Sequence, residues 1–141
     1  MNNFRFDVEK QLGKLGRDIQ QFVERVVPLV DEGQDFTPAC DITETDEDFD
    51  IHIDLPGVSK EEIDLKITQK ILSVQGERQT EDGKEPRYVR RERKSGYFSR
   101  SFALPDDVDT EQIEAKFKNG VLSIHIPKVE KSDNSKSIDI N

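Results

Sequence analysis

Hydrophobic and polar residues alternate with a period of two over most of the chain, from residue 37 to residue 128. Between Phe49 and Leu55, every second residue is apolar and the residues between are Asp50, His52 and Asp54. This period is typical of half-buried strands. It predicts seven or eight short strands, carried by Cys40 and Ile42, Phe49 to Leu55, Leu65 and Ile67, Leu72 and Val74, Phe98 to Leu104, Ala115 and Phe117, and Leu122 to Ile126. Short strands separated by turn signals favour an all-β fold, an immunoglobulin-like antiparallel β-sandwich over residues 36–128.

The first 35 residues have a different period. Apolar residues recur there at steps of three and four, which is typical of one face of a helix; they are Phe4, Val8, Leu12, Leu15, Ile19, Phe22, Val26 and Val30. Gly13 and Gly16 each cost a helix about 1 kcal/mol relative to Ala, so this helix needs a surface to pack on. We predict an N-terminal helical arm over residues 1–35 that binds apolar segments of other proteins. A helix that only packs inside an oligomer is the alternative. The residues of this arm expected to make such contacts are Phe4, Phe6, Leu12, Leu15, Ile19 and Phe22.

The connections and the end of the chain carry further signals. Asn119-Gly120 predicts a tight hairpin turn, since both residue types accept positive φ. Residues 129–141 are predicted to be a flexible polar tail, interrupted near its end by Ile138 and Ile140. Two isolated isoleucines cannot form a core, so they either plug a groove elsewhere or simply end a disordered tail.

Composition narrows the class of protein. Hydrophobic residues make up 33% of the chain, charged residues 36%, and the net charge is −9. An acidic balance argues against nucleic-acid and membrane partners, and Cys40 is the only cysteine, which fits a reducing compartment. With no membrane-length apolar run or signal peptide in the sequence, we predict a cytoplasmic location.

Charged residues fall in two runs of opposite sign. Residues 41–54 contain seven acids and no base, whereas residues 87–94 contain five bases and one acid. The basic run of one subunit could meet acidic strands of another, although two solvated faces are an equally good interpretation. Arg100 alternates in phase with Phe98 and Phe102, so its charge must be paired with a carboxylate or reach water along its stem.

Candidate chemistry is sparse. Asp46, Asp48 and Asp50 resemble the opening of a calcium loop, but Ile51 and Gly57 stand where that loop requires Gly and Glu. His52 and His125 lie in separate predicted strands without ligands at metal-binding spacing. No phosphate-binding loop and no nucleophile elbow is present in the sequence. We therefore predict no catalytic residues, no metal and no cofactor.

Three motifs resemble those of the small heat-shock proteins of bacteria and plants, whose common unit is the α-crystallin domain. The segment Ala115 to Leu122 is similar to that family's A-x-x-x-N-G-V-L signature, and Ile138-Asp139-Ile140 resembles its C-terminal I-x-I anchor. The segment from Arg91 to Pro105 resembles the part of the domain that precedes the signature. Leu55-Pro56-Gly57-Val58 also fits, and the resemblance covers roughly residues 36–141 in order.

The resemblance implies an ATP-independent chaperone that holds unfolding proteins as a large homo-oligomer built from dimers. It implies that Tyr88, Val89 and Arg90 form a strand that crosses to a partner subunit, with Arg100 at the same interface. It also implies that Ile138 and Ile140 enter a groove lined by Leu65, Ile67, Ala115 and Phe117. The alternatives are a CS-domain-type co-chaperone, which shares the sandwich, and a structural shell protein without holdase activity.

Overall fold

The chain folds into two stacked four-stranded antiparallel sheets. The computed structural model describes residues 25–79, 87–130 and 137–141. In chain order, the strands are β1 Val27–Leu29, β2 Cys40–Glu44, β3 Asp48–Asp54, β4 Ile63–Thr68, β5 Ile71–Arg78, β6 Gly96–Ala103, β7 Glu114–Lys118 and β8 Val121–Pro127. The first sheet has the order β1-β6-β5-β4 and the second β2-β3-β8-β7. The predicted β-sandwich is confirmed.

The core lies between the sheets and is built by the alternation along each strand. In β3, Phe49, Ile51 and Ile53 are buried, while the polar residues between them face outward. β8 repeats the pattern with Leu122, Ile124 and Ile126. The first sheet supplies the opposite wall through Leu72, Val74, Phe98 and Phe102. Because the side-chain period is two, this burial fixes the register of the central strands.

Two of the turns between neighbouring strands place non-glycine residues at positive φ, and only one of these two was predicted. Asn119 and Gly120 have φ of 54° and 75° between β7 and β8, as expected for an Asn-Gly hairpin. Between β4 and β5, Gln69 and Lys70 adopt φ of 50° and 66°. Neither residue type favours that conformation, so no local pattern predicts the second turn.

A repeated connection leads into β4 and into β7. A Leu-Pro pair ends the preceding segment in each case, and a short 3-10 helix follows, at Lys60–Glu62 and at Thr110–Gln112. The Asp109 carboxylate caps the second helix by accepting a hydrogen bond from Glu111 N. Both connections deliver their strand to the edge of a sheet.

Within the described ranges, no helix is long and apolar enough to cross a membrane.

The predicted helical stripe does not extend through Val26 and Val30. Val27–Leu29 is a strand that pairs with β6, and Val26 is only 9% exposed within the core. Tertiary pairing decides this segment, and Pro28 disfavours a helix there because it restricts the residue before it. The other residues of the predicted arm, including Phe4, Phe6, Leu12, Leu15, Ile19 and Phe22, lie outside the described residues.

Candidate interaction surfaces

The edge strands β4 and β7 share one margin of the sandwich. Arg100 of β6 contacts Cys40 of β2 across the space between the sheets, so β6 lies over β2. The strand orders then place β4, the last strand of the first sheet, on the same side as β7, the last strand of the second. Stacked sheets lie about 10 Å apart, which leaves a slot between the two edges.

The four predicted groove residues point into this slot. Leu65 pairs with Val74 and Ile67 with Leu72, both buried partners, so these side chains face the interior. Ala115 and Phe117 face inward in the same way, opposite Ile124 and Leu122. Leu65 and Phe117 are partly buried against the core, whereas Ala115 is exposed and Ile67 is 37% exposed. Apolar side chains that face inward and still reach solvent define an open groove, which we call the edge groove.

Two further residues extend the edge groove beyond the predicted set. Ile63 begins β4 and Ile113 directly precedes β7, and both are partly buried against the core. Each follows one of the short 3-10 helices. Their place in the repeated connection was the signal that could have revealed them.

Among the described residues, no groove holds the tail isoleucines. Ile138 is 85% exposed and Ile140 is 98% exposed. Residues i and i+2 of an extended chain project to the same side about 6.6 Å apart, and the groove residues on each wall also stand two positions apart. The two isoleucines thus match the spacing of the apolar positions on the groove walls.

The other margin of the second sheet presents the open edge of β2. Thr45 N donates to Asp48 O and Asp54 N donates to Ala39 O at the two ends of the β2–β3 ladder. Hydrogen bonding alternates along an antiparallel ladder. Every second residue of β2 therefore bonds to β3, and the backbone groups of the residues that alternate with these point away from β3. These outward groups belong to Cys40, Ile42 and Glu44, and no strand of the described residues pairs with them.

The segment predicted to cross to a partner is exposed and has no strand structure. Tyr88, Val89 and Arg90 belong to an irregular stretch in which every residue from 87 to 94 is exposed. Val89, at 103% relative exposure, has no cover from the described chain. Arg78 ties the end of this stretch to the sandwich through hydrogen bonds to Lys94 O and to Pro56 O.

Arg100 lies between the sheets with incomplete pairing. Its guanidinium donates to Pro38 O at 3.4 Å and to Cys40 Sγ at 3.1 Å, and it stands 5.4 Å from the Phe102 ring centre. Arg100 Nε is buried without a hydrogen-bond partner in the described chain. No salt bridge joins it to a carboxylate among the described residues. The predicted carboxylate partner is therefore not supplied by this part of the same chain.

The two charge runs lie on different surfaces. The acidic run forms β2, β3 and the turn between them, where Lys128 binds Glu44 at 2.7 Å and so neutralises one acid. The basic run forms the exposed stretch that precedes β6. Within that stretch, Arg90 binds Glu92 at 2.7 Å and Arg91 lies over the Tyr88 ring.

An antiparallel sandwich with an apolar groove between two edge strands defines the class of α-crystallin-type domains. The model of the Hsp20/alpha crystallin family matches residues 41–141, most of the chain. The chain belongs to this family, which is a family of chaperones.

Relatives with known sequences include bacterial and plant proteins. The chain is 45% identical over 97 residues to Small heat shock protein C4 of Rickettsia felis, covering 68% of this chain and 60% of that protein. It is 41% identical over 117 residues to the 17.6 kDa class I heat shock protein 3 of Arabidopsis thaliana, covering 81% and 74%. The match thus spans about three fifths of the Rickettsia protein's length.

Solved structures show the same fold. A small heat-shock protein from Xylella fastidiosa, described as having a distinct high order structure, superposes with a TM-score of 0.67 at 38% identity, covering 76% of this chain and 98% of that one. Heat shock protein 16.0 from Schizosaccharomyces pombe superposes with a TM-score of 0.65 at 34% identity, covering 77% and 86%.

Proposed function

We propose that this protein is an ATP-independent holdase that binds unfolding proteins and assembles from dimers into a large homo-oligomer. The observation that carries the proposal is the pairing of an open apolar edge groove with two exposed isoleucines of matching spacing on the same chain. The family, whose members are chaperones, supports the activity. The proposed activity involves no chemical step and no cofactor, and we place it in the cytoplasm.

Ile138 and Ile140 of one subunit are proposed to bind the edge groove of another. Burying an isoleucine side chain yields about 1.5–3 kcal/mol, and immobilising it costs about 0.5–1.5 kcal/mol. One tail therefore binds weakly, whereas many tails in a closed assembly act together through their effective concentration. A weak, repeated contact suits a particle that must release subunits and expose apolar surface.

The dimer is proposed to form at the opposite margin. The open edge of β2 offers backbone donors and acceptors, and Tyr88, Val89 and Arg90 of a partner are proposed to add a strand there. The acidic run around β2 and the basic run beside Tyr88 are complementary in sign, which favours this pairing. Arg100 lies next to β2, and a carboxylate from the partner would complete its pairing.

The function is tested by heating a model client without ATP while light scattering and particle mass are recorded. We expect the protein to suppress client aggregation as a large oligomer. Suppression without a particle larger than a monomer would favour the co-chaperone alternative. A large particle that leaves the client unprotected would favour a shell protein.

The plug is tested by the double variant Ile138→Ala/Ile140→Ala, with Asp139→Ala as the matched control. We expect the double variant to sediment as a folded dimer and the control to retain the full particle mass. Ala115→Arg should have the same effect from the groove side, because Ala115 is exposed and a longer side chain there fits the single chain. Lys116→Arg is its control, as Lys116 faces away from the groove. A double variant of unchanged particle mass would contradict the anchor.

A further inference from the structure

Three potential metal ligands meet on the outer face of the second sheet, away from the edge groove. In β3, Asp48 and Asp50 flank the buried Phe49, so both carboxylates face outward. In β8, His125 lies between the buried Ile124 and Ile126 and faces the same way. The register pairs Asp50 directly with His125. We call these three residues the outer-face triad.

The ligand atoms of the outer-face triad converge. His125 Nδ1 lies 2.9 Å from Asp50 Oδ1, and Nε2 lies 3.7 Å from Asp48 Oδ2. One ring nitrogen and one oxygen of each carboxylate all lie within 4.8 Å of one another. Ligands bound to zinc at about 2.0–2.2 Å with tetrahedral angles stand about 3.4 Å apart. Asp50 faces Nδ1 and Asp48 faces Nε2, whereas one ion binds only one ring nitrogen, so one carboxylate must rotate towards the nitrogen that holds the ion.

A second layer of hydrogen bonds orients one of the ligands. Thr45 Oγ1 donates to Asp48 Oδ1 at 2.7 Å and accepts a hydrogen bond from Asp48 N at 3.1 Å. Asp48 Oδ1 is thus held by the turn before β3, while Oδ2 faces His125. Such outer contacts fix ligand geometry in metal sites. All three residues are partly exposed, so water can complete the coordination.

The electrostatic field at this point favours a cation. The hydrogen bond to Asp50 raises the pKa of His125, and the charges of Asp50, Asp48 and Glu114 act in the same direction. Glu114 reaches the site from β7, where it pairs with His125. A proton and a metal ion would compete for the imidazole. The nitrogen ligand favours a transition metal over magnesium or calcium, which prefer oxygen ligands alone.

We propose that Asp48, Asp50 and His125 form a binding site for a divalent transition metal of the zinc class. The ion links β3 to β8 on the face opposite the core. Because it binds the folded sheet and not the unfolded chain, it stabilises the domain by an amount that grows with the logarithm of its free concentration once that exceeds the dissociation constant. The site makes the stability of this protein responsive to metal.

The test is zinc chloride titrated into the intact protein at pH 8, followed by calorimetry and by thermal unfolding. The chain has two histidines, and His52 lies on an exposed position of β3, so His52→Asn is a matched control for His125→Asn. We expect one zinc ion per chain and a raised Tm for the wild type and for His52→Asn. His125→Asn and Asp50→Asn should bind zinc at least tenfold more weakly.

Two further measurements distinguish a specific metal site from general cation binding. Thr45→Val should weaken zinc binding about tenfold, since it frees the Asp48 carboxylate. Magnesium chloride at the same concentration should not raise the Tm. The proposal is overturned if the wild type binds no zinc, if His125→Asn binds as the wild type does, or if His52→Asn loses binding equally.

Discussion

The immediate surroundings of Arg100 and of Gly76 restrict what those two positions can accommodate. Arg100 is held between the sheets by Pro38 O and Cys40 Sγ, and its Nε is left without a hydrogen bond in the described chain. Gly76 stands between Ile63 and Phe98 in the middle of the first sheet. Arg100 Nε has no hydrogen-bond partner among the described residues, and Gly76 has no space for a side chain. Each therefore allows a prediction from a single side chain.

Arg100→Ala is expected to weaken the dimer far more than it destabilises the monomer. If the partner subunit supplies a carboxylate, removing the arginine leaves that carboxylate buried without an opposite charge. This weakens dimerisation by about 3 kcal/mol, or on the order of a hundredfold in dissociation constant. Sedimentation of Arg100→Ala in the Ile138→Ala/Ile140→Ala background measures this. A dimer of unchanged affinity and Tm would mean that the guanidinium reaches water instead.

Gly76→Ala is expected to destabilise the domain by about 1–3 kcal/mol, the usual cost of overpacking a core. A methyl group there would collide with Glu62 O and stand 2.6 Å from the Phe98 ring. Phe98 is fully buried and cannot move aside. Urea unfolding measures the difference, and Gln75→Ala, at the exposed neighbouring position, should be close to neutral. Equal stability of the two variants would contradict this account.

The edge strands are the places at which we propose that this molecule contacts other chains. The repeated Leu-Pro connections place β4 and β7 at the edges that face each other across the groove. β2 lies at the other end of the second sheet with open backbone groups. Exposed edges invite strand addition, so each margin is proposed to take a different segment of a neighbouring subunit. The tail is the segment proposed for the apolar groove, and the exposed basic stretch is the segment proposed for the acidic edge.

Val89→Asp is expected to abolish the dimer without changing the stability of the monomer. Val89 has no contacts to lose among the described residues, because it is fully exposed, but a carboxylate there would be repelled by the acidic run around β2. Sedimentation and thermal unfolding measure the two quantities, and Val89→Thr is the control that keeps the shape. Retention of the dimer by Val89→Asp would exclude this segment from the interface.

Dimer formation is also expected to weaken as salt is raised from about 0.05 to 0.5 M, since the proposed contact pairs charges that salt screens. Sedimentation at each salt concentration measures it. A dimer insensitive to salt would indicate that the two charge runs are independent solvated faces.

The whole molecule combines a well-packed domain with apolar segments that the domain does not cover. The sandwich buries its own core completely at Ile51, Ile53 and Phe102. Ile138, Ile140 and Val89 remain exposed. Apolar surface of this kind requires a partner, and copies of the same chain and unfolding clients are the partners proposed.

Deleting residues 1–24 is expected to leave a folded domain and to reduce client protection at equal subunit concentration. The deletion must stop before Val26, which is part of the core, and before β1, which pairs with β6. Circular dichroism checks the fold, and light scattering of a heated client checks the activity. Full protection by the shortened protein would show that the arm is not the client-binding site.

The amino-acid pattern alone determined the strands, because alternation between apolar and polar residues reports directly which face is buried. It also determined the Asn119-Gly120 turn and the family motifs. It did not determine β1, where a helical period continues through residues that pair with β6. It also gave no sign of the Gln69-Lys70 turn, because neither residue type favours that conformation.

Only the tertiary structure decided which distant residues meet. The order of strands brought β4 beside β7, some 50 residues apart in sequence, and so placed the edge groove. The β3–β8 register brought Asp50 against His125, which no local spacing in the sequence suggests. The absence of a carboxylate near Arg100 within the described chain was likewise visible only in three dimensions. Sequence periodicity reports the burial of a face, whereas contacts between strands depend on how the faces are assembled.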